Sequence, residues 1–181
     1  MILQGKQVRL RAVERDDLLL AVQFLNDPDV LLWFGKLGPL GMEDEIAWYE
    51  RMRQDDHVIN FAMEVAGRYV GGCGLINIDH VHRRAEMGVF VEDKSLWGRG
   101  VGSEAITLVM DYGFDYLNLH RIYLRTFAGN TRAIRVYEGL GFQHEGRFRD
   151  VEWRHGRWQD MLYMSVLEAE WRQRGGGKAV K

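Results

Sequence analysis

The chain has 181 residues, of which 46% are hydrophobic and 28% charged. This composition is typical of a folded globular protein and excludes wholesale disorder. The formal net charge of −2 predicts no bulk attraction to nucleic acid or to an anionic membrane. One cysteine, Cys73, excludes an internal disulfide, and the Cys/His spacing predicts no zinc site. Apolar runs are far shorter than the ~20 residues of a membrane span. The first residues lack a secretory signal pattern, so we expect a cytoplasmic setting.

The periodicity of the apolar residues predicts strands and amphipathic helices in alternating blocks. In chain order we expect a strand over 7–13, helices over 16–26 and 43–54, strands over 58–65, 68–78 and 84–92, a helix over 101–116, a strand over 121–127, a helix over 130–139 and strands over 142–150 and 158–167. This order, β-α-α-β-β-β-α-β-α-β-β, predicts a mixed α/β (α+β) fold with a central, mostly antiparallel sheet flanked by helices. We expect one domain over 1–174 and a flexible, glycine-rich tail over 175–181.

A glycine-rich turn, Gly98-Arg99-Gly100-Val101-Gly102, leads from the strand over 84–92 into the helix over 101–116. Glycines let the backbone approach a ligand closely, and the free N–H groups at the start of a helix suit a phosphate. Taken alone, such a loop either binds an anion or merely turns the chain. It is not a Walker loop, because no Gly-Lys-Ser/Thr follows. It is also a poor dinucleotide fingerprint, because the strands before it predict an antiparallel meander.

A second motif, from Asn130 to Phe142, reads Asn-Thr-Arg-Ala-Ile-Arg-Val-Tyr-Glu-Gly-Leu-Gly-Phe. Asn130 stands where a helix begins and is a good N-cap residue. Tyr137 follows two turns later on the same helix face. Gly139 and Gly141 are placed to end the helix.

Together the two motifs resemble the GNAT superfamily of acetyl-CoA-dependent N-acetyltransferases. The fingerprint of that family is Gln/Arg-x-x-Gly-x-Gly/Ala at the start of the central helix, followed by Asn-x6-Tyr-Glu-x-x-Gly-Phe. The resemblance covers nearly the whole chain, from Val8 to Ser165, and implies the GNAT fold. The subgroup most similar to this chain contains the ribosomal-protein alanine N-acetyltransferases and the spermidine/spermine N-acetyltransferases. The shared features are the Leu-Arg opening, Asn26-Asp27-Pro28, Ala85-Glu86-Met87-Gly88 and Trp97-Gly98-Arg99-Gly100.

Three positions depart from these relatives. Trp97 stands where the superfamily often has Gln or Arg, so we expect backbone N–H groups to replace one side-chain contact to the pyrophosphate. Tyr123 stands where some ribosomal-protein enzymes have a glutamate base. The segment after Trp33-Phe34 lacks the additional acids of the spermidine enzymes, which leaves polyamine specificity open.

The resemblance implies acetyl-CoA as the cosubstrate and no metal. A splay or bulge of the strand around Gly88–Val91 would leave backbone N–H groups free for the thioester carbonyl and the pantetheine chain. The loop Trp97–Ser103 would bind the pyrophosphate, and Asn130 the pantetheine amide. Arg132 and Arg135 would either bind the ribose 3′-phosphate or be solvated helix charges. The implied cofactor-binding residues are Val89, Phe90, Val91, Trp97, Gly98, Arg99, Gly100, Val101, Gly102, Ser103, Asn130, Arg132, Arg135 and Tyr137.

The implied reaction is direct attack of a primary amine on the thioester. A lysine-like ammonium group has a pKa of ~10.4, so it must lose a proton before it attacks. The resemblance assigns Tyr137 the role of protonating the departing thiolate. Glu86 would either accept the amine proton through water or be a strand-end glutamate paired with Arg83 or Arg84.

We expect the acceptor to be an amine-bearing small molecule or a protein N-terminus. Its site is expected to lie between the first two helices with their joining loop, about 26–48, and the hairpin 148–158, with Trp33–Pro39 as a mobile lid. The second helix carries acids that either attract a cationic amine or form a solvated face: Glu43, Asp44, Glu45 and Glu50.

A different class of function stays open at this point, a catalytically silent CoA-binding module with a regulatory or interaction role. Asn130 and Tyr137 favour the enzyme, whereas the absence of a glutamate at Tyr123 leaves the module open. The net charge disfavours nucleic-acid binding. An exposed sheet edge near the C-terminus would be compatible with a homodimer.

Overall fold

The computed structural model describes residues 1–31, 33, 38–154 and 156–176. Its strands are β1 (Leu3–Gln4), β2 (Val8–Arg11), β3 (Ile59–Val65), β4 (Arg68–Asp79), β5 (Arg84–Val91), β6 (Arg121–Phe127), β7 (Gln143–Arg154) and β8 (Arg157–Leu167). Its helices are α1 (Asp17–Leu25), α2 (Pro28–Leu31), α3 (Met42–Met52), α4 (Val101–Asp111), α5 (Thr131–Gly139) and α6 (Glu168–Gln173). A 3₁₀ turn, Lys94–Leu96, precedes α4, and a π-helical turn, Tyr112–Tyr116, follows it. Within these ranges no helix combines the length and the apolar character needed to cross a bilayer.

The eight strands in the described part of the chain form one sheet, in the order β1-β2-β3-β4-β5-β6-β8-β7. All neighbouring strands are antiparallel except β5 and β6, which are parallel. Parallel neighbours need a long crossover, and here the chain passes from β5 to β6 through α4. The predicted mixed fold with a mostly antiparallel central sheet is confirmed.

Apolar side chains cover both faces of this sheet. Ala62 and Met63 are adjacent in β3 but belong to different buried clusters, because successive side chains of a strand point to opposite faces. The larger cluster joins the central strands to the helices of one face through Val109 of α4, Tyr137 of α5 and Trp171 of α6. The smaller cluster joins α1 and α2 to the other face. The sheet therefore separates α4 and α5 on one face from α1 and α2 on the other face.

The predicted order of elements is confirmed, and the structure adds three elements to it, β1, α2 and α6. These elements have two, four and six residues, so their apolar periodicity is too short to detect. Strand β7 extends to Arg154, beyond the predicted end at 150. The described residues exclude 34–37 of the predicted lid and 177–181 of the predicted tail, so both remain predictions, as does the division into domain and tail.

Candidate active site

The sheet opens where β5 and β6 separate. The two strands pair only between Arg84–Glu86 and Arg121–Tyr123. Beyond these residues β5 keeps its pairing with β4 and has no paired strand on its other side within the described residues. The C-terminal half of β5 is therefore an open edge inside the sheet.

Two backbone N–H groups point into this gap. The Glu92 N–H donates to the Val70 carbonyl at 2.9 Å, so the Val91 carbonyl of the same peptide unit points away from β4. That carbonyl accepts a hydrogen bond from the indole N–H of Trp97 at 2.7 Å. Because main-chain groups alternate along a strand, the N–H groups of Val91 and Val89 point to the same side. The splay expected from the sequence thus leaves backbone donors facing the gap.

The glycine-rich turn ends at Gly100, the N-cap of α4, which has a φ of 82°. Gly98 has a φ of 74°, and both angles lie in the left-handed region that favours glycine. The turn leads into the first N–H groups of α4, those of Val101, Gly102 and Ser103, which lack intrahelical acceptors. Together with the helix dipole they make this end of α4 attractive to a phosphate.

A tryptophan and an arginine stack beside this turn. The guanidinium carbon of Arg132 lies 3.7 Å from the centroid of the Trp97 ring. Because the Trp97 N–H already binds the backbone, this residue offers a ligand its ring rather than a hydrogen bond. Burial lowers the pKa of Arg132, and no acid in the described part of the chain acts on it. Arg132 therefore brings an uncompensated positive charge to the site.

Two other arginines of the predicted cofactor site do not line the cleft. Arg135 is exposed, and its Nε donates to the Thr131 carbonyl at 3.3 Å. Arg99 is also exposed, and its carbonyl accepts from the Gln7 side chain at 3.2 Å. Their part in cofactor binding stays a prediction.

Helix α5 positions an amide and a phenol. The Asn130 side-chain oxygen accepts from the Ala133 N–H at 3.3 Å and caps the helix, so its amide nitrogen is the atom available to donate to a ligand. Tyr137 is 8% exposed, and its ring packs edge-on against Phe142 at 5.8 Å. Burial raises the pKa of Tyr137 to about 12, so the hydroxyl is protonated near neutral pH.

Apart from Arg99 and Arg135, the predicted cofactor-binding residues line one cleft with a volume of about 310 Å³. The predicted residues in its wall are Val89, Phe90, Val91, Trp97, Gly98, Gly100, Val101, Gly102, Ser103, Asn130, Arg132 and Tyr137. Two further wall residues, Val30 and Trp33, come from the segment 26–48 that was predicted to serve the acceptor. Sequence reasoning missed the remaining apolar residues of the wall, because they look like ordinary core packing: Leu96, Ile106, Ala133 and Val136. An apolar cleft with phosphate-binding groups at a helix start fits the predicted cosubstrate, which joins a pyrophosphate to a long pantetheine chain.

Glu86, the predicted base, does not line this cleft. It is 7% exposed, and its two oxygens accept from Arg125 Nε at 2.7 Å and from Asn77 Nδ2 at 3.1 Å. Its ion-pair partner is therefore Arg125 and not Arg83 or Arg84, the two arginines considered from the sequence. Its role as a base stays a prediction.

A second cavity of about 250 Å³ lies between the sheet and helices α1 and α3. Val89 and Phe90 line both this cavity and the cleft. Glu45 is the only one of the four acids considered on α3 that is both buried, at 6% exposure, and part of the cavity wall. For Glu45 the expectation of a solvated helix face is therefore wrong.

Glu92 also lines the second cavity and was missed by sequence reasoning. It is 5% exposed, and the Tyr69 hydroxyl lies 3.0 and 3.1 Å from its two oxygens. Burial raises the pKa of Glu92 to about 8; the charges of Glu45 and Asp17 add to this shift, and the hydrogen bond from Tyr69 opposes it. In the sequence, Glu92 is only an acid at the end of the predicted strand over 84–92, and its burial depends on residues far away in the chain.

Known acetyltransferases are similar to this chain in sequence and in fold. The family described as "Acetyltransferase (GNAT) domain" matches residues 7–143. The spermidine N(1)-acetyltransferase of Escherichia coli strain K12 is 32% identical over 166 residues, which cover 91% of this chain and 88% of that protein. The corresponding enzyme of Vibrio cholerae serotype O1 is 32% identical over 173 residues, covering 94% of this chain and 98% of that protein. A solved structure of spermidine N-acetyltransferase from Vibrio cholerae in complex with CoA and spermine has a TM-score of 0.86 and 29% identity, covering 93% of this chain and 99% of that chain.

The fold and the cleft thus define an acyltransferase of the acetyl-CoA-dependent class. More specifically, the chain belongs to the GNAT acetyltransferases. The family predicted from the two sequence motifs is confirmed, together with its similarity to the spermidine acetyltransferases.

Proposed function

We propose that this protein transfers the acetyl group of acetyl-CoA directly to a primary amine. The observation that carries the proposal is the single cleft in which the open edge of β5, the start of α4 and Tyr137 lie together. These are the three kinds of group that acetyl transfer from a thioester needs: donors for the carbonyl, a phosphate site and a group beside the leaving sulfur.

Each group has a distinct task in the proposed reaction. The N–H groups of Val89 and Val91 lie about 6.6 Å apart along the strand, so one would donate to the thioester oxygen, where negative charge develops during attack, and the other to the pantetheine chain. The first N–H groups of α4 would bind the pyrophosphate, and Arg132 would pair with a further phosphate of the cosubstrate. The Asn130 amide would hold the pantetheine chain. Tyr137 would donate its hydroxyl proton toward the sulfur as the thiolate departs.

Attack by the amine itself, without an acetylated enzyme intermediate, is supported by the state of Cys73. This residue lines the second cavity but is 4% exposed. Burial raises the pKa of its thiol well above the ordinary range, so the thiol stays protonated. Because the thiolate is the nucleophilic form of cysteine, Cys73 is not suited to accept the acetyl group.

The names of the relatives guide the choice of acceptor. Two of them are spermidine acetyltransferases, and a related structure contains spermine. Small cationic amines are therefore the first acceptors to test, and a protein N-terminus is the second.

The test measures release of free thiol from acetyl-CoA with a panel of polyamines, aminoglycosides, amino acids and ribosomal-protein peptides. Calorimetric titration with CoA runs in parallel on the same preparation. Thiol release that depends on one class of amine supports the enzyme. Binding of CoA without turnover on any amine would instead support a silent CoA-binding module, and absence of CoA binding by folded protein would overturn both.

A further inference from the structure

The second cavity and the cosubstrate cleft share part of their walls. Val89 and Phe90 line both, and the N–H of Val89 faces the open edge where the thioester carbonyl is proposed to bind. A molecule in the second cavity would therefore lie beside the part of β5 that is proposed to hold the thioester. An acceptor amine must lie close to the thioester carbonyl in order to attack it.

Two carboxylates line this second cavity, Glu45 and Glu92. Glu92 is the one attached to β5, one residue beyond its end and two residues after Phe90. In the described part of the structure, its carboxylate accepts a hydrogen bond from the neutral hydroxyl of Tyr69 and has no ion-pair partner. Glu86 differs, because Arg125 already neutralises its charge.

Resting on the proposed function, we propose that Glu92 binds the ammonium group of the acceptor in this cavity and takes up the proton that the amine must lose before attack. Of the three protons of a primary ammonium group, one stays on the amide product, one ends on the thiol of CoA, and one leaves for water. Glu92 receives the last of these and then passes it to solvent. The free amine forms the C–N bond and the C–S bond breaks. The departing sulfur takes its proton through the Tyr137 hydroxyl, which regains a proton from the amine nitrogen.

The surroundings of Glu92 suit a group that gains and loses a proton. Three titratable groups influence the pKa of Glu92: Tyr69 of β4, Glu45 of α3 and Asp17 of α1. Asp17 is itself held by Arg11 of β2, with N–O distances of 2.7 and 2.8 Å. A carboxylate whose pKa is about 8 is a stronger base than an ordinary glutamate, and proton transfer is most efficient when the pKa of the base lies near the working pH.

The experiment compares Glu92→Gln with the wild-type enzyme on an amine found by the thiol-release panel. The measured quantities are kcat and KM from about pH 6 to pH 10, the range in which such groups titrate, and the Kd of CoA. Tyr69→Phe tests the neighbour of the proposed base, and Glu86→Gln tests the rival. Glu50→Gln is the matched control, because Glu50 lies on α3 but pairs with Arg15 and does not line either cavity.

We expect Glu92→Gln to lower kcat/KM by about 100-fold or more, the usual share of a general base, with the Kd of CoA unchanged. The acid limb of the wild-type profile, expected at about pH 8, should disappear in this variant. Tyr69→Phe should move that limb to higher pH, because the lost hydrogen bond lowers the pKa of Glu92 in the wild type. Packing alone would not produce this shift.

Several outcomes overturn the inference. Wild-type kcat/KM in Glu92→Gln, or an acid limb removed by Glu86→Gln instead, would show that Glu92 takes no proton. An acid limb that stays in place in Tyr69→Phe would show that Glu92 does not govern the profile. If the wild-type enzyme itself turns over no amine, the proposed function fails first, and the inference fails with it.

Discussion

Replacement of Tyr137 by phenylalanine tests the chemistry of the cleft most directly. The substitution removes one hydroxyl and keeps the ring, which packs against Phe142 at 5.8 Å. We therefore expect the variant to fold and to bind CoA as the wild type does, and to lose rate only in the chemical step.

The magnitude follows from the pKa of the hydroxyl. Tyr137 has a pKa of about 12, whereas a thiol has a pKa of ~8.5. Proton transfer from the phenol to a free thiolate is thus uphill on its own, so the minimum contribution of Tyr137 is the hydrogen bond that its hydroxyl donates to the departing thiolate. A hydrogen bond to a charged group is worth about 1.5–3 kcal/mol. That range corresponds to a rate loss of roughly 10- to 150-fold.

The assay is a single-turnover measurement with saturating acetyl-CoA and amine, because steady-state rates can be limited by product release. Tyr116→Phe is the matched control, since Tyr116 is 60% exposed, stacks on Tyr112 at 5.3 Å and does not line the cleft. A change of less than about threefold in Tyr137→Phe, a size expected of indirect effects, would refute the role of the hydroxyl.

Three further predictions concern the phosphate contact of Arg132, the buried bond of Trp171 and the titration of Glu92. Arg132→Gln should weaken CoA binding about tenfold, the usual loss for one charged phosphate contact, and should reduce its salt dependence. Arg51→Gln, at an exposed position on α3, should leave the Kd measured by calorimetry unchanged. Trp171→Phe should lower the free energy of unfolding in urea by about 1.5–3 kcal/mol, because it removes the buried hydrogen bond to Asp111 at 2.7 Å. An unchanged urea midpoint would contradict this. Because the folded pKa of Glu92 is about 8 rather than 4.5, the folded state binds more protons than the unfolded state between these values. The free energy of unfolding should therefore fall as pH rises through this window, and Glu92→Gln should flatten that dependence.

Local sequence patterns predict the elements and motifs whose signals lie within a few residues. Strand β6 has the predicted bounds, 121–127, and its buried residues Ile122 and Leu124 alternate with less buried neighbours, as expected for a strand. The capping position of Asn130 and the two-turn spacing to Tyr137 follow from helix geometry alone, and both residues line the cleft. Most residues in the wall of the cosubstrate cleft can therefore be predicted from the sequence.

Elements whose structure depends on contacts with distant residues cannot be predicted from local sequence patterns in the same way. The helix predicted over 101–116 is α-helical only to Asp111 and then becomes a π-helical turn. A Cβ on Gly113 in this turn would lie 2.7 Å from the Ile122 side chain, so a contact with β6 shapes the turn. Helix α6 is likewise held by the bond from Trp171 to Asp111, which is 60 residues earlier in the chain.

The carboxylates of the site are the hardest residues to assign from sequence. Glu86 is a candidate base from the sequence, and the structure adds its ion pair with Arg125, 39 residues away, which no local pattern predicts. Glu92 carries no recognisable motif, and its burial comes from the packing of Tyr69, 23 residues before it, and of helices α1 and α3. Charged residues take their roles from the groups that surround them, and those groups are brought together only by the tertiary fold.

Strand β5 connects the two halves of the proposed reaction, and the glycines of β4 determine how it can do so. Gly71 has a φ of 149°, and a Cβ at this position would lie 2.0 Å from the Phe90 carbonyl. The backbones of β4 and β5 therefore approach each other more closely than a side chain would permit. This approach places the wall shared by the two cavities, formed by Val89 and Phe90, and sets the position of Glu92 at the end of the strand. A side chain at position 71 would push β5 outward and disturb the cosubstrate cleft and the second cavity together, so this glycine supports the walls of both without lining either one.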